Sequence, residues 1–211
     1  MATKEYPARL DIDYPPTLNR VTTFFRLILV IPIFFLFSII AGSFDGSYVD
    51  QQTGEMMGGS GGIIVALFVA TVLMILFRQR YPRWWFDFNL ELNRFATRLS
   101  AYMLLLTDKY PSTVEAQTVH LELDYPDVKQ DLNRGLPLVK WLLAFPHYVV
   151  LILLAIPVIG AVVIAWFAVL FTGRYPRSLF DIVVGYTRWN LRVSAYAILL
   201  VTDKYPPFSL R

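Results

Sequence analysis

The chain states one pattern twice. Phe77-Arg78-Gln79-Arg80-Tyr81-Pro82-Arg83 returns 94 residues later as Phe171-Thr172-Gly173-Arg174-Tyr175-Pro176-Arg177. Asp87, Arg94, Arg98 and Ser100-Ala101-Tyr102 return as Asp181, Arg188, Arg192 and Ser194-Ala195-Tyr196. Thr107-Asp108-Lys109-Tyr110-Pro111 returns as Thr202-Asp203-Lys204-Tyr205-Pro206. Each copy follows a long apolar stretch, so the fold must place two equivalent greasy segments in equivalent surroundings. A doubled unit of this kind points to pseudo-symmetry around a membrane bundle.

Composition agrees. Of 211 residues, 56% are apolar, against about 45–50% for an ordinary soluble domain. The chain has no cysteine, which excludes disulfides, thiolate metal sites and cysteine nucleophiles. Met1 to Arg20 has no apolar core, so no cleavable leader is expected there.

Four apolar runs are expected to cross a membrane as two helical hairpins. They are Phe24 to Ala41, Gly62 to Phe77, and a fused stretch from Leu138 to Phe171 divided at Pro157-Val158-Ile159-Gly160. A spanning helix needs about 20 apolar residues, and these runs are short, so paired re-entrant hairpins remain open as well. The Gly42–Gly61 loop carries Asp45, Asp50 and Glu55 but no Lys or Arg. The positive-inside bias therefore places both termini and the central segment in the cytoplasm. That loop, rich in glycine, is expected to be mobile and external. Pro32 and Pro146 are expected to kink their helices.

Trp84 to Leu106 and its counterpart after Arg177 have apolar residues at steps of three and four, which predicts two amphipathic helices. They lie at the interface, or they pack on each other and on the hairpins. Ala8 to Pro15 and Val119 to Pro126 alternate and both end in Tyr-Pro, which predicts strands that pair as a small cytoplasmic sheet. The expected fold is thus a mainly α membrane protein: four spans, two interfacial amphipathic helices, a small β element and a pseudo-two-fold internal repeat. The units run 1–117 and 118–211 within one compact domain. With an even number of spans per unit, they form a parallel repeat about an axis along the membrane normal.

At these residues the chain resembles a bacterial membrane-protein family known as domain-of-unknown-function family 4389. The resemblance rests on Lys140-Trp141-Leu142-Leu143-Ala144-Phe145-Pro146-His147-Tyr148, on the corner from Gly173 to Asp181, and on Leu200 to Leu210. The first half departs from it, with Gln79 at the corner glycine and Ile33 where His147 aligns. The resemblance implies a fold and an inner-membrane location. It implies no catalytic residue and no cofactor.

Arg78, Arg80, Arg83, Arg174 and Arg177 cluster beside apolar runs, where guanidinium groups suit anionic headgroups. They also serve as ordinary orienting charge. Trp84, Trp85 and Trp189 are the expected interfacial anchors. Arg26, Lys140 and His147 are polar groups inside the apolar runs. Arg26 and Lys140 either reach back to the interface or pair with Asp87 and Asp181. His147 lacks companions for a metal site. No phosphate-binding glycine loop, hydrolase motif or paired intramembrane carboxylates appear, and the basic residues flank apolar runs, which suits a membrane better than nucleic acid. The expected function is a non-enzymatic membrane module with phospholipid partners, an accessory or scaffold subunit in a homo-oligomer or larger complex. The alternative is a small transporter or channel for a lipid or weakly charged solute.

Overall fold

The computed structural model describes residues 6–41, 48–49, 56–57, 62–113, 115 and 117–211. Strand β1 (Ala8–Ile12) leads to helices α1 (Arg20–Leu29) and α2 (Ile31–Ala41). A short ribbon, β2 (Tyr48–Val49) with β3 (Met56–Met57), precedes α3 (Ile63–Leu73), which ends in a π-helical turn at Met74–Arg78. Helix α4 (Arg83–Met103) completes the first half of the path, and strand β4 (Val119–Leu123) opens the second. The single turn α5 (Val128–Asp131), a 3-10 turn at Leu136–Leu138, α6 (Lys140–Leu143), α7 (Phe145–Thr172) and α8 (Arg177–Ala197) follow. The expectation of a mobile external loop at 42–61 falls largely outside the described residues.

Local chemistry sets the helix ends. Asn19 caps α1, its side chain accepting from the amides of Val21 and Thr22, as a capping asparagine does. Pro82 and Pro176 precede α4 and α8. Pro32 and Pro146 sit in the first turn of α2 and α7, where a missing N–H costs little, so the apolar path breaks at Val30 and at Ala144.

Two helices are long and apolar enough to cross a membrane, Arg20–Ile39 and Phe145–Thr172, and Ile63–Arg78 is shorter. The expected division at Gly160 is incorrect: α7 is one helix of 28 residues with Pro157 inside it. Pro157 removes one hydrogen bond, but the helix keeps one continuous packed face of His147, Leu151, Val158, Ala161, Ala165 and Val169. Burying that face outweighs one lost bond. The second half therefore holds no apolar hairpin.

The first half follows the same course with an interruption. Asn19 to Pro32 match partners 114 positions on and Phe77 to Tyr102 match partners 94 positions on, a difference equal to the 20 residues of the Gly42–Gly61 loop; the strands match at 111 and the Thr-Asp-Lys-Tyr-Pro loops at 95. Buried positions obey both shifts: Val30 with Ala144 and Ile33 with His147 before the loop, then Leu67 with Ala161, Thr71 with Ala165 and Ile75 with Val169 after it. The α1–α2–α3 segment thus lines α4 as α7 lines α8. Phe37 meets Phe95, and Thr71 accepts a hydrogen bond from the Trp85 indole at 2.9 Å.

These two long apolar segments run antiparallel. Where one begins, the other ends: the Leu18 amide donates to the Gly173 carbonyl at 2.9 Å, and the Trp166 indole donates to the Thr23 carbonyl at 3.2 Å. At the opposite end, Arg134 donates to the Gln79 side chain at 2.6 Å.

β1 and β4 pair antiparallel with Leu10 opposite Leu121, as their alternation predicts. Ala8, Leu10, Ile12, Val119, Leu121 and Leu123 turn inward, and Arg9, Asp11, His120 and Glu122 turn outward. The strands are exchanged: β1 packs on α8 and β4 packs on α4. Arg188 donates to the Leu10 carbonyl at 2.9 Å, and Arg94 donates to the Leu121 carbonyl at 3.1 Å. Each arginine covers a strand carbonyl that the narrow sheet leaves without a ladder partner. The start of the chain therefore packs against its last helix.

The result is three layers: the sheet, the α4/α8 pair, and the long apolar segments. This corrects the interfacial reading of α8. It is a middle layer between β1 and α7, with Val183, Trp189, Val193, Ala195 and Tyr196 all buried. The C-terminal tail closes over it at Gly185, where a Cβ would stand 2.5 Å from the Leu210 carbonyl oxygen.

Candidate lipid-contact site

The outer faces of the long segments are apolar and open. Phe24, Ile28, Ile31 and Phe35 are exposed on one, and Ile152, Ile156, Ile159 and Phe167 on the other. Soluble monomers rarely leave contiguous patches of this kind uncovered.

The arginines frame this surface as two groups, not one. Arg78, Arg80 and Arg83 stand at the corner that ends the first segment, and Arg174 and Arg177 at the corner that ends the second; all are exposed. The antiparallel course sets these corners at opposite ends of the layer. Arg134 joins the first group through Gln79, and Arg20 lies against Gly173 in the second. Both escaped the sequence reading, although they match at the spacing of 114.

Each corner is built by the other half of the chain. The Tyr14 hydroxyl donates to the Tyr175 carbonyl and the Tyr125 hydroxyl donates to the Tyr81 carbonyl, each at 2.5 Å. Arg177 lies 4.7 Å from the Tyr14 ring centre and Arg83 lies 4.8 Å from that of Tyr125. Asp181 and Asp87 pair with these arginines at 3.1 Å. Arg83 and Arg177 are thereby held by stacking and a carboxylate, whereas Arg78, Arg80 and Arg174 form no ion pair among the described residues. Tyr81 and Tyr175 are buried beneath the corners, and burial raises both phenols above their usual range.

Trp84 is 68% exposed beside Arg83, where an indole can reach a headgroup layer. Trp85 is half-buried and held by Thr71. Trp189 is not an interfacial anchor. It is buried in the α7–α8 contact, its indole donating to His147 Nδ1 at 3.1 Å.

Arg26 and Lys140 do not reach back to water, nor do they pair with Asp87 or Asp181. Both are buried. Arg26 pairs with Asp108 and donates to the carbonyls of Tyr102 and Thr107 at 2.7 and 2.9 Å. Lys140 stands 2.6 Å from Asp203 and donates to the Thr202 carbonyl at 2.8 Å. Asp108 and Asp203 also accept from the amides of Asn19 and Asn133, each at 2.6 Å. The doubled Thr-Asp-Lys-Tyr-Pro, read as a helix stop, was the available signal. Left-handed residues at Leu105 and Leu200, with φ of 65° and 57°, turn the chain so that these loops face the cations.

His147 is wholly enclosed, stacked on Phe208 at 3.9 Å with Tyr205 at 4.8 Å. Among the described residues no three metal-ligating side chains converge. Beside the first corner a cleft of about 650 Å³ is lined by Gln79, Arg80, Tyr81, Tyr125 and Lys129. Another of about 650 Å³ lies on the sheet side between Arg9, His120, Glu122, Arg188 and Arg192. Between the halves lies a cavity of about 150 Å³, lined by Leu67, Thr71, Asn89 and Ile198 among others.

No curated protein and no solved structure matches the chain. Residues 137–209, which carry Lys140, His147, the second basic corner and Asp203, match a family described as a domain of unknown function (DUF4389).

Proposed function

We propose that the protein is a non-enzymatic membrane module of the bacterial inner membrane. Its apolar layer sits among acyl chains, its basic corners hold anionic phospholipid headgroups, and both termini stay on the cytoplasmic side. It serves as an accessory or scaffold subunit, in a homo-oligomer or a larger assembly. The carrying observation is the exposed apolar face bounded at both ends by exposed arginines. Each such cation contributes roughly 1 kcal/mol of attraction to an anionic surface.

We read the two halves as a duplicated unit. The matched latches, corners and buried positions support this. A transport path between the halves is the second reading: a cavity of about 150 Å³ and an adjoining cleft of about 310 Å³ share Asn93, Ala96 and Ser194 there, at the lower end of the roughly 300–1,000 Å³ of small-molecule sites. Asp108 and Asp203 are both engaged by buried cations, which leaves neither as a ready acid or base.

The test is gentle extraction from native membranes followed by mass spectrometry of retained lipid and protein. The wild type should carry anionic phospholipid, and the pair Arg174→Glu with Arg177→Glu should lose about half of it, the share held at the second corner. Equal lipid retention in both would overturn the headgroup site.

A further inference from the structure

We propose that the protein occupies a single leaflet, its long apolar segments lying along the membrane plane instead of crossing it. This rests on the membrane reading above and adds an orientation to it.

Three observations carry the inference. First, the two corners lie at opposite ends of antiparallel segments, as the contacts of Leu18 with Gly173 and of Arg134 with Gln79 require. Segments standing upright would put one arginine group on each side of the membrane, against the positive-inside bias. Lying flat, they keep both groups at one surface.

Second, the sheet sits halfway along the segments. Leu10 is held by Arg188 and Leu121 by Arg94, near the middle of α8 and α4. Arg188 stands in the stretch of α8 that packs beside Leu151 and Leu154 of α7, through Tyr186 and Trp189. An upright molecule would set the sheet's outer charges, including Arg9 with Glu122 and Asp124, at the bilayer midplane, where charge is least tolerated.

Third, the dimensions agree. The apolar layer is one helix thick, about 10–12 Å, and half of a roughly 30 Å hydrocarbon core is about 15 Å. Helix α7, with 28 residues, runs about 42 Å, longer than the core it would have to cross. Lying flat also sets the pseudo-two-fold axis along the membrane normal.

The absence of native cysteine permits a clean depth measurement. Single cysteines replace the exposed Leu142, Ile156 and Phe171, are spin-labelled, and are read in vesicles of equal parts phosphatidylethanolamine and phosphatidylglycerol. Oxygen and a nickel chelate serve as relaxers. The expected result is one common depth, within about 5 Å across the three sites. A profile with Ile156 deep and Phe171 shallow, the two being about 22 Å apart along the helix, would overturn the flat seating and leave the lipid reading standing. Water-exposed labels at all three sites would overturn both. The unmodified protein supplies a second measurement: amide dichroism in oriented films should place the helix axes in the plane, and axes along the normal would sink the proposal.

Discussion

Lys140 stands 2.6 Å from Asp203 with no side-chain surface open to solvent, tying the start of the second apolar segment to the loop after α8. Arg26 stands in the same relation to Asp108. The two cations are not equivalent. Arg26 reaches two carbonyls besides its carboxylate and Lys140 reaches one, as the forked guanidinium allows.

Removing one partner of such a pair leaves a buried charge unmatched. Asp203→Asn should therefore lower unfolding stability by about 3–5 kcal/mol, and Lys140→Met with Asp203→Asn should lower it by clearly less. Chemical denaturation in mild detergent, followed by circular dichroism, reads both. Equal losses in the single and double variants would mean that the charge pairing is not what holds this loop.

Gly173 and Gln79 occupy matched corners with positive φ, 74° and 45°. A left-handed conformation costs a side-chain-bearing residue about 1–2 kcal/mol. Gly173→Ala should be destabilising by that amount. Gln79→Gly should gain less, because it also loses the 2.6 Å bond from Arg134 and loosens the unfolded chain. Thermal melts of the two variants should move in opposite directions or leave Gln79→Gly near the wild type. A melt for Gly173→Ala no lower than the wild type would refute the strain argument.

Joining Ala41 directly to Gly62 should give a folded protein. The excised 20 residues are the difference between the two spacings, and the matched junction, Ala155–Ile156, lies inside the continuous helix α7. Per-residue helicity should rise, most of all with Gly62→Ala, since glycine inside a helix costs about 1 kcal/mol. Loss of the native melting transition would show that the insertion belongs to the fold.

Much of the local structure was legible because it depends on neighbours in sequence. Alternation placed β1 and β4, helical spacing placed α4 and α8, and the proline corners marked where both helices begin. Pro157 misled, because a proline's local cost says nothing about the packed face on either side of it. The indole of Trp189 misled for a related reason: an amphipathic stripe does not reveal whether lipid or α7 will cover it.

The sequence alone determined the elements: long apolar segments, the basic Tyr-Pro corners after them, and the amphipathic helices that follow. Period and spacing encode these directly. The tertiary structure decided how the halves meet: β1 on α8, β4 on α4, Tyr14 and Tyr125 each on the other half's corner, and the apolar segments antiparallel. The hydrogen bonds that fix these contacts join residues 27 to 178 positions apart, and no local pattern distinguishes a partner in the same half from its counterpart in the other. Only the simultaneous burial of both halves selects between them.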